Sequence, residues 1–242
     1  MMIGLGTLIN TAAVIGGGVI GHFFGKLLSE TKADSLSRTC GITVLFIGIA
    51  GAMEGMLKIS DGGLETALSM MVVCALVLGT IIGEIIDIEL GFEKFGEWLK
   101  QKTGNAKDKN FVEAFVNASL TICIGAMAIV GAIQDGIYGD WSLLGVKSVL
   151  DFIIIVIMTG SMGKGAVFSF IPILILEGGM TLCAGFLQPV LNSLAMDYQS
   201  VVGSLLIFCV GINLVWGKKV RVANMLPGLI FAVIAAYLPI FG

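Results

Sequence analysis

Two acidic residues lie in the middle of long apolar segments, where charged groups are rare. Asp151 lies within residues Ser142–Ser161, and Glu177 lies within residues Ala166–Leu187. An ionised Asp at the centre of a membrane-spanning helix costs about 2.5–3.5 kcal/mol, and chains that keep such a group usually use it. Two carboxylates brought together at this depth could share a proton or bind a cation. The sequence therefore predicts that Asp151 and Glu177 couple ion movement to transport.

Neighbouring residues modify each carboxylate. Lys147 precedes Asp151 by four residues, so both side chains share one helix face, and the ammonium group could modulate a functional site. A structural ion pair that neutralises Asp151 is the alternative. Glu177 is followed by two glycines and preceded by Pro172, which predicts an irregular helix that lines a cavity. The alternative is a protonated Glu177 that hydrogen-bonds to a neighbouring helix.

Four further polar residues complete the candidate site. Asn10 and Asn213 could contact a substrate or ion, although hydrogen bonding between helices is the simpler interpretation of both. Glu54 and Asp135 end two similar glycine-rich segments on the same side of the predicted membrane. They could form a paired outer vestibule, with solvated helix ends as the alternative.

The other chemistry-bearing residues do not predict an enzyme. One His and five widely spaced Cys residues offer no clustered metal ligands, so neither a metal nor a cofactor is expected. The sequence has no nucleophile elbow, zinc-protease motif, phosphate-binding loop or dinucleotide fingerprint. The net charge is −3 and there is no basic run, so no nucleic-acid partner is expected.

Membrane-spanning helices must position these residues. Of the 242 residues, 57% are hydrophobic and 13% are charged, and the mean hydropathy is +1.00. Soluble domains have about a quarter of their residues charged. Apolar segments of about 20 residues, enough to cross a bilayer, predict an all-α membrane protein with about eight transmembrane helices in a single domain, residues 1–242. The predicted spans are Ile3–Gly25, Ser37–Leu57, Glu65–Ile88, Glu113–Ile133, Ser142–Ser161, Ala166–Leu187, Tyr198–Trp216 and Asn224–Phe241.

The positions of Lys and Arg support these spans. Twelve of the fourteen lie in or beside the first, third, fifth and seventh connections, and only Lys58 and Lys147 lie in or near even-numbered connections. Because cytoplasmic loops are enriched in Lys and Arg, both termini are predicted to be non-cytoplasmic. The fifth connection, Met162–Gly165, is so short that spans five and six could form a tight hairpin or a re-entrant element.

The third connection contains a second kind of helix. Apolar residues recur near helical spacing within Leu90–Lys102, opposite charged residues. This pattern predicts an amphipathic helix on the cytoplasmic membrane interface. A soluble extension of the third span is the alternative.

Glycine, with 34 residues, marks close helix packing. Small residues spaced by four allow helices to approach closely in lipid. Such faces occur at Gly17, Gly21 and Gly25, at Gly51 and Gly55, and at Gly79 and Gly83. Packing within the chain explains them, and a homo-oligomer formed through Gly-xxx-Gly faces is the alternative.

A glycine-rich pattern also recurs along the chain, at residues 47–55, 124–132 and 208–213. The charge distribution makes the first two copies run in the same direction and the third run in the opposite direction. Internal repeats, including inverted repeats, are typical of secondary transporters. Chance similarity between apolar segments is the alternative.

Three stretches of the chain form a recognisable pattern. They are Gly4-x-Gly6-Thr7-Leu8-Ile9-Asn10, the run from Gly125-Ala126-Met127-Ala128-Ile129-Val130-Gly131-Ala132 through Asp135-Gly136 to Lys147-Ser148-x-x-Asp151, and Asn224-Met225-Leu226-Pro227. Together they resemble the YqgA/YdfK-like family of bacterial membrane proteins over the whole chain. The resemblance implies a polytopic protein of the bacterial cytoplasmic membrane, of unknown function and without assigned functional residues.

Taken together, these features favour a secondary transporter or exporter. It would move a small solute or ion, coupled to protons or cations through the mid-membrane carboxylates. Its partners would be the lipid bilayer and that solute or ion. A passive channel is one alternative. A non-transporting membrane scaffold or assembly protein, whose glycine faces bind partner helices, is another.

Overall fold

A computed structural model describes residues 3–60, 63–124 and 126–240 as a helical bundle with one short β-hairpin. Gly125 and Phe241, which belong to predicted spans, lie outside these residues. The elements are α1 (Leu5–Gly25), α2 (Glu30–Met56), β1 (Leu57–Ser60), β2 (Gly63–Thr66), α3 (Ser69–Ile86), α4 (Ile88–Lys102), α5 (Phe111–Cys123), α6 (Ala126–Tyr138), α7 (Ser142–Met162), a 3-10 helix (Lys164–Ser169), α8 (Phe170–Leu182), α9 (Ala184–Leu187), α10 (Ser193–Trp216), α11 (Val222–Met225) and α12 (Pro227–Ala235).

The lengths and apolar compositions of these helices confirm the predicted helical membrane bundle. Six segments of the described chain are long and apolar enough to cross a membrane: α1, α2, α3, α7, α10, and the 3-10 helix together with α8. Helices α5 and α6, which are bent by 62° at their junction, make a seventh if they form one broken span. The last predicted span corresponds to the shorter helices α11 and α12, so eight is an approximate count.

A β-hairpin replaces helix between the second and third spans. Strands β1 and β2 pair antiparallel, with Leu57 opposite Thr66. The second span was predicted to end at Leu57 and the third to begin at Glu65, whereas α2 ends at Met56 and α3 begins at Ser69. Gly63, the first residue of β2, has a φ of +125°. Glycine adopts this conformation readily, and it is incompatible with a continuous helix.

The fourth predicted span, Glu113–Ile133, is interrupted near its middle. Helix α5 ends at Cys123, and Ile124 adopts an extended conformation with φ −89° and ψ 116°. By contrast, α8 continues as helix through Glu177 and the two glycines after it. The irregular backbone predicted around Glu177 is therefore absent there; in that span it is found before α8, in the 3-10 helix, and after α8, at Cys183.

Helix α5 is the most enclosed element of the bundle. Every residue from Ala114 to Ile122 is buried, including the polar residues Asn117, Ser119 and Thr121. It contacts the 3-10 helix and helices α4, α7, α8 and α10. The break between α5 and α6 therefore lies inside the protein, where irregular backbone is tolerated at membrane depth.

The predicted amphipathic segment is the separate helix α4. Asp87, with φ 56° and ψ 59°, adopts a left-handed conformation between α3 and α4, so α4 does not simply extend α3. Leu99 is buried on one side of α4, whereas Trp98 stacks on Phe95 and is half exposed. The location of α4 on a membrane interface remains a prediction.

The connections that carry most of the positive charge meet at one end of the bundle, called here the basic end. A cavity there is lined by residues in or beside the first, third, fifth and seventh predicted connections, including Asp34, Asn110, Met162 and Gly217. The β-hairpin and the connections after α6 and α9 lie at the opposite end. Of the two lysines in even-numbered connections, Lys147 is buried within α7.

The glycine faces predicted from the sequence contact helices of the same chain. A Cβ atom at Gly17, Gly21 or Gly25 of α1 would lie 2.5–2.8 Å from a carbonyl oxygen of α7. Gly51 and Gly55 pack on α10, and Gly79 and Gly83 pack on the segment that contains α11 and α12. Packing within the chain therefore accounts for all three faces, and a homo-oligomer remains a prediction.

Two copies of the recurring glycine-rich pattern lie against each other. Helices α2 and α10 pack antiparallel, with Gly41 near Val215 and Gly55 near Val201. Their opposite chain directions agree with those predicted from the charge distribution. The internal repeat itself remains a prediction.

The close packing of α1 on α7 leads to a stability prediction. Gly21→Ala is expected to lower the melting temperature of the purified protein, because its Cβ would lie 2.5 Å from the Val156 carbonyl oxygen. Overpacking of this kind costs about 1–3 kcal/mol. Gly16→Ala is the matched control on the same helix, since its nearest atom, in the Phe152 ring, is 3.9 Å away. Equal melting temperatures of the two variants would contradict this packing.

Candidate functional site

Four polar side chains from three helices meet inside the bundle and are called here the central cluster. They are Asn10 of α1, Lys147 and Asp151 of α7, and Glu177 of α8. Each is at most 6% exposed. Asp151 lies at the middle of α7, so it is near mid-depth in any membrane that α7 crosses. The structure thus joins four of the five residues predicted to contact the substrate or coupling ion.

Asn10 links the two carboxylates. Its side-chain nitrogen donates to Asp151 Oδ2 at 3.0 Å and to the two carboxylate oxygens of Glu177 at 2.9 and 3.1 Å. Its side-chain oxygen is buried and has no hydrogen-bond partner among the described residues. Since buried polar atoms normally have partners, this oxygen is a candidate ligand atom.

Lys147 lies between the carboxylates and a backbone carbonyl. Its Nζ forms a direct ion pair with Asp151, one helical turn away, and lies 3.4 Å from Glu177 Oε1. It also donates to the Ile122 carbonyl oxygen at 2.8 Å. The pairing of Lys147 with Asp151 is thus present, within a larger group that contains a second carboxylate.

The break after α5 supplies this carbonyl. The last four carbonyls of a helix have no partner within that helix, and Ile122 is the second-last residue of α5. Unwound backbone carbonyls of broken helices coordinate ions in transporters. Sequence reasoning missed Ile122, because a backbone ligand leaves no mark in the pattern of side chains.

The central cluster has an unbalanced charge when all its groups are ionised. Two carboxylates and one ammonium group leave a net charge of −1. Burying an uncompensated charge costs several kcal/mol, so one proton or one monovalent cation is needed for balance. Among the described residues, no group of three or more His, Cys, Asp or Glu side chains could hold a metal ion.

Polar groups continue from the central cluster towards the opposite end of the bundle. Thr7 lies three residues before Asn10 on α1, and Thr181 lies four residues after Glu177 on α8. Their hydroxyl groups are buried and 3.3 Å apart. This pair adds a polar contact between α1 and α8 next to the cluster.

The predicted outer vestibule is not assembled as a pair of carboxylates. Asp135 is fully buried and accepts hydrogen bonds from the backbone nitrogens of Gly4 and Gly6, at 3.3 and 2.9 Å. Glu54 is exposed and lines a separate cavity of about 480 Å³ with Asp197. Asp135 therefore caps the N-terminus of α1, where negative charge is favourable.

This contact predicts a larger stability effect at Asp135 than at Glu54. Asp135→Ala is expected to destabilise the protein by about 0.5–2 kcal/mol, the usual range for loss of a helix cap. Glu54→Ala, which removes an exposed carboxylate, should leave the melting temperature unchanged. Similar losses in the two variants would show that the cap does not stabilise α1.

Asn213 lies at the basic end, away from the central cluster. Its nitrogen donates to the Val220 carbonyl at 2.8 Å, and its oxygen accepts from the backbone nitrogens of Lys219 and Val220, at 2.8 and 2.9 Å. Asn213 therefore holds the connection between α10 and α11. The hydrogen bonds of Asn213 thus go to the connection after its own helix, whereas the simpler sequence interpretation expected a neighbouring helix.

Sequence reasoning missed a buried carboxylate, Glu89, at the basic end. It accepts a hydrogen bond from the Ala223 nitrogen at 3.0 Å and pairs with Lys218 at 3.0 Å. Burial lowers the pKa of Lys218, but its hydrogen bonds to Glu93 and Glu89 outweigh this effect and raise it overall. Arg221 pairs with two carboxylates near the end of α3, so ion pairs tie α3 and α4 to the α10–α11 connection.

A cavity of about 250 Å³ extends from this network along α5. Glu113, Asn117 and Leu120 line it from one face of that helix. Leu120 is two residues before Ile122, whose carbonyl binds Lys147. The cavity therefore leads from the basic end towards the central cluster.

Comparisons with known proteins place the chain among membrane proteins. A family model described as "Protein of unknown function (DUF554)" matches residues 5–237. "Uncharacterized protein YqgA" of Escherichia coli (strain K12) is 30% identical over 232 residues, covering 94% of each chain. "Uncharacterized membrane protein YdfK" of Bacillus subtilis (strain 168) is 25% identical over 225 residues, covering 93% of this chain and 92% of the relative. No solved structure matches the chain significantly.

Proposed function

Because the chain belongs to the DUF554 family, whose function is unknown, we propose its activity from the chemistry of the central cluster. The protein is a secondary transporter or exporter of a small solute or ion. Its transport is coupled to protons or cations through Asp151 and Glu177. No nucleotide-binding motif in the sequence offers an alternative source of energy.

The observation that carries this proposal is the convergence of two carboxylates and one ammonium group inside an apolar bundle. A buried ion pair adds little stability compared with well-packed apolar side chains. A cluster that also has an unbalanced charge is harder to explain as a stabilising feature. Reversible binding of a proton or cation gives it a use, because such binding balances the charge in one state of a transport cycle.

The surroundings of the cluster support a site that is approached from the basic end and closed at the opposite end. A cavity leads along α5 from the basic end, and the Thr7–Thr181 pair lies on the other side of the cluster. Binding sites of secondary transporters lie near mid-membrane, beside broken helices such as α5 and α6. Movement of α8 relative to α1 and α7 would alternate this access, and the recurring glycine-rich helices would act as inverted repeats.

The charge distribution sets the orientation in this proposal. The basic end faces the cytoplasm, because Lys and Arg are retained on that side. Both termini are then outside, and the membrane is the bacterial cytoplasmic membrane. Helix α4 lies on its inner surface.

Current recordings on solid-supported membranes test this function. Purified protein in proteoliposomes is exposed to jumps in the concentration of ions and small solutes, chosen by a thermal-stabilisation screen of ligands. A coupled transporter gives saturable transient currents that depend on the proton or cation gradient. Currents without saturation or coupling would identify a channel. Absence of current together with a stably co-purifying partner would identify a scaffold, and either result would overturn the proposal.

A further inference from the structure

The two carboxylates of the central cluster differ in their relation to Lys147. Resting on the proposed function, we infer that Lys147 is the fixed counter-ion of Asp151, while Glu177 binds an exchangeable monovalent cation. The charge on Lys147 then sets the charge that the bound cation must carry. This inference gives Asp151 and Glu177 separate roles, and it identifies the coupling ion as an alkali cation such as Na⁺.

The geometry supports separate roles. Lys147 and Asp151 are one turn apart on α7 and form a direct ion pair, so they stay together when helices move. Glu177 is on α8, and its nearer oxygen is 3.4 Å from the ammonium nitrogen, beyond the usual range of a strong charge-assisted hydrogen bond. Glu177 is therefore the carboxylate whose charge the ammonium group compensates less.

Oxygen atoms beside Glu177 suit a hard cation, which prefers oxygen ligands. The Asn10 amide belongs to the cluster, since its nitrogen donates to both carboxylates. Its oxygen is fully buried and has no partner among the described residues. The Ile122 carbonyl, at the end of α5, accepts from Lys147 and helps to hold the ammonium group in place as the counter-ion of Asp151. The amide oxygen of Asn10 and the carboxylate of Glu177 can together replace part of the hydration shell of Na⁺.

Charge counting predicts a different cation for each variant. The native cluster has a net charge of −1 and needs a monovalent cation. In Lys147→Gln the cluster has a net charge of −2, which favours a divalent cation. In Asp151→Asn the charges of Lys147 and Glu177 cancel, so the cluster needs no bound cation. The double variant, Lys147→Gln with Asp151→Asn, returns the charge to −1 and should regain monovalent binding.

Equilibrium binding to purified protein in detergent tests this rule. Radioactive Na⁺ and Ca²⁺ are the probes, with N-methyl-D-glucamine chloride to keep the ionic strength constant. Native protein and the double variant should bind Na⁺, and Asp151→Asn and Glu177→Gln should bind it at least roughly tenfold more weakly. Lys147→Gln should prefer Ca²⁺. Lys107→Gln removes an exposed lysine of the α4–α5 connection and should bind like the native protein.

Native protein that does not bind Na⁺ would overturn the inference, as would a double variant that binds no better than Asp151→Asn. If Asp151→Asn does not fold, Glu177→Gln decides, because it keeps the Lys147–Asp151 pair, and unchanged Na⁺ binding there would also overturn the inference. Binding that follows the rule without any transport current would refute only the proposed function. Coupled currents without this pattern of binding would refute only the inference.

Discussion

Glu177→Gln is expected to reduce transport currents in proteoliposomes to the level of protein-free liposomes. The substitution removes the charge that binds a proton or cation but keeps an oxygen that accepts a hydrogen bond from Asn10. Size and packing at this buried position also change little. The expected effect is therefore loss of coupling in a folded protein, which current recordings and size-exclusion chromatography measure together.

Glu97→Gln is the matched control for this prediction, because Glu97 is an exposed carboxylate on α4. Its currents should equal those of the native protein. Asp151→Asn should also abolish the currents, since Lys147 would then neutralise Glu177 permanently. Native currents in both neutral variants of the cluster would show that the site assignment is wrong.

Lys147→Gln is expected to destabilise the protein strongly. Removing one partner of a buried ion pair typically costs about 3–5 kcal/mol, because the remaining charge is left uncompensated. Here two carboxylates, each at most 4% exposed, would lose their shared ammonium group. Unfolding in buffer that contains N-methyl-D-glucamine as the only cation measures the loss without a replacement metal ion.

A second substitution should reverse part of this loss. Adding Asp151→Asn to Lys147→Gln removes one of the two uncompensated charges, so the double variant should be more stable than Lys147→Gln alone. Lys107→Gln should unfold like the native protein. A double variant less stable than Lys147→Gln would show that charge balance does not control stability at the cluster.

The sequence predicted the side chains of the central cluster because charged groups are conspicuous in apolar segments. Asp151 and Glu177 were found on this basis, and the four-residue spacing placed Lys147 beside Asp151. Asn10 joins these three residues because α1 is a neighbour of α7 and α8, and the sequence does not show which helices are neighbours. A spacing pattern defines one face of a helix but does not identify the helix that it contacts.

Features formed by the backbone were harder to predict. The break after α5 leaves the apolar pattern of its span intact, so the Ile122 carbonyl could not be recognised as a ligand of Lys147. Asp135 and Glu54 occupy similar places in two similar segments, yet only Asp135 meets the backbone nitrogens of another helix. Glu89 follows the end of an apolar segment, and its burial depends on the distant connection after α10.

Glycine spacing predicted which helix faces are closely packed, but it did not predict which helices pack on them. The four-residue spacing on α1 indicated close approach of another helix, and the structure identifies that helix as α7. This contact matters for the site, because α1 carries Asn10 and α7 carries Lys147 and Asp151. Close packing of α1 on α7 thus holds Asn10 next to the Lys147–Asp151 ion pair. Glu177 reaches the same cluster from a third helix, α8.

The central claim is that Glu177 binds an exchangeable ion, and proton movement driven by a Na⁺ gradient tests most directly whether it binds Na⁺ and protons in turn. Proteoliposomes that contain a trapped pH-sensitive dye are given an inward Na⁺ gradient, so that no other solute has to be known. Exchange at the central cluster predicts rapid alkalinisation of the interior with native protein, and with Glu177→Gln a signal no faster than in protein-free liposomes. Native protein that behaves like protein-free liposomes, or a Glu177→Gln variant as active as native protein, would contradict exchange of Na⁺ for protons at this cluster.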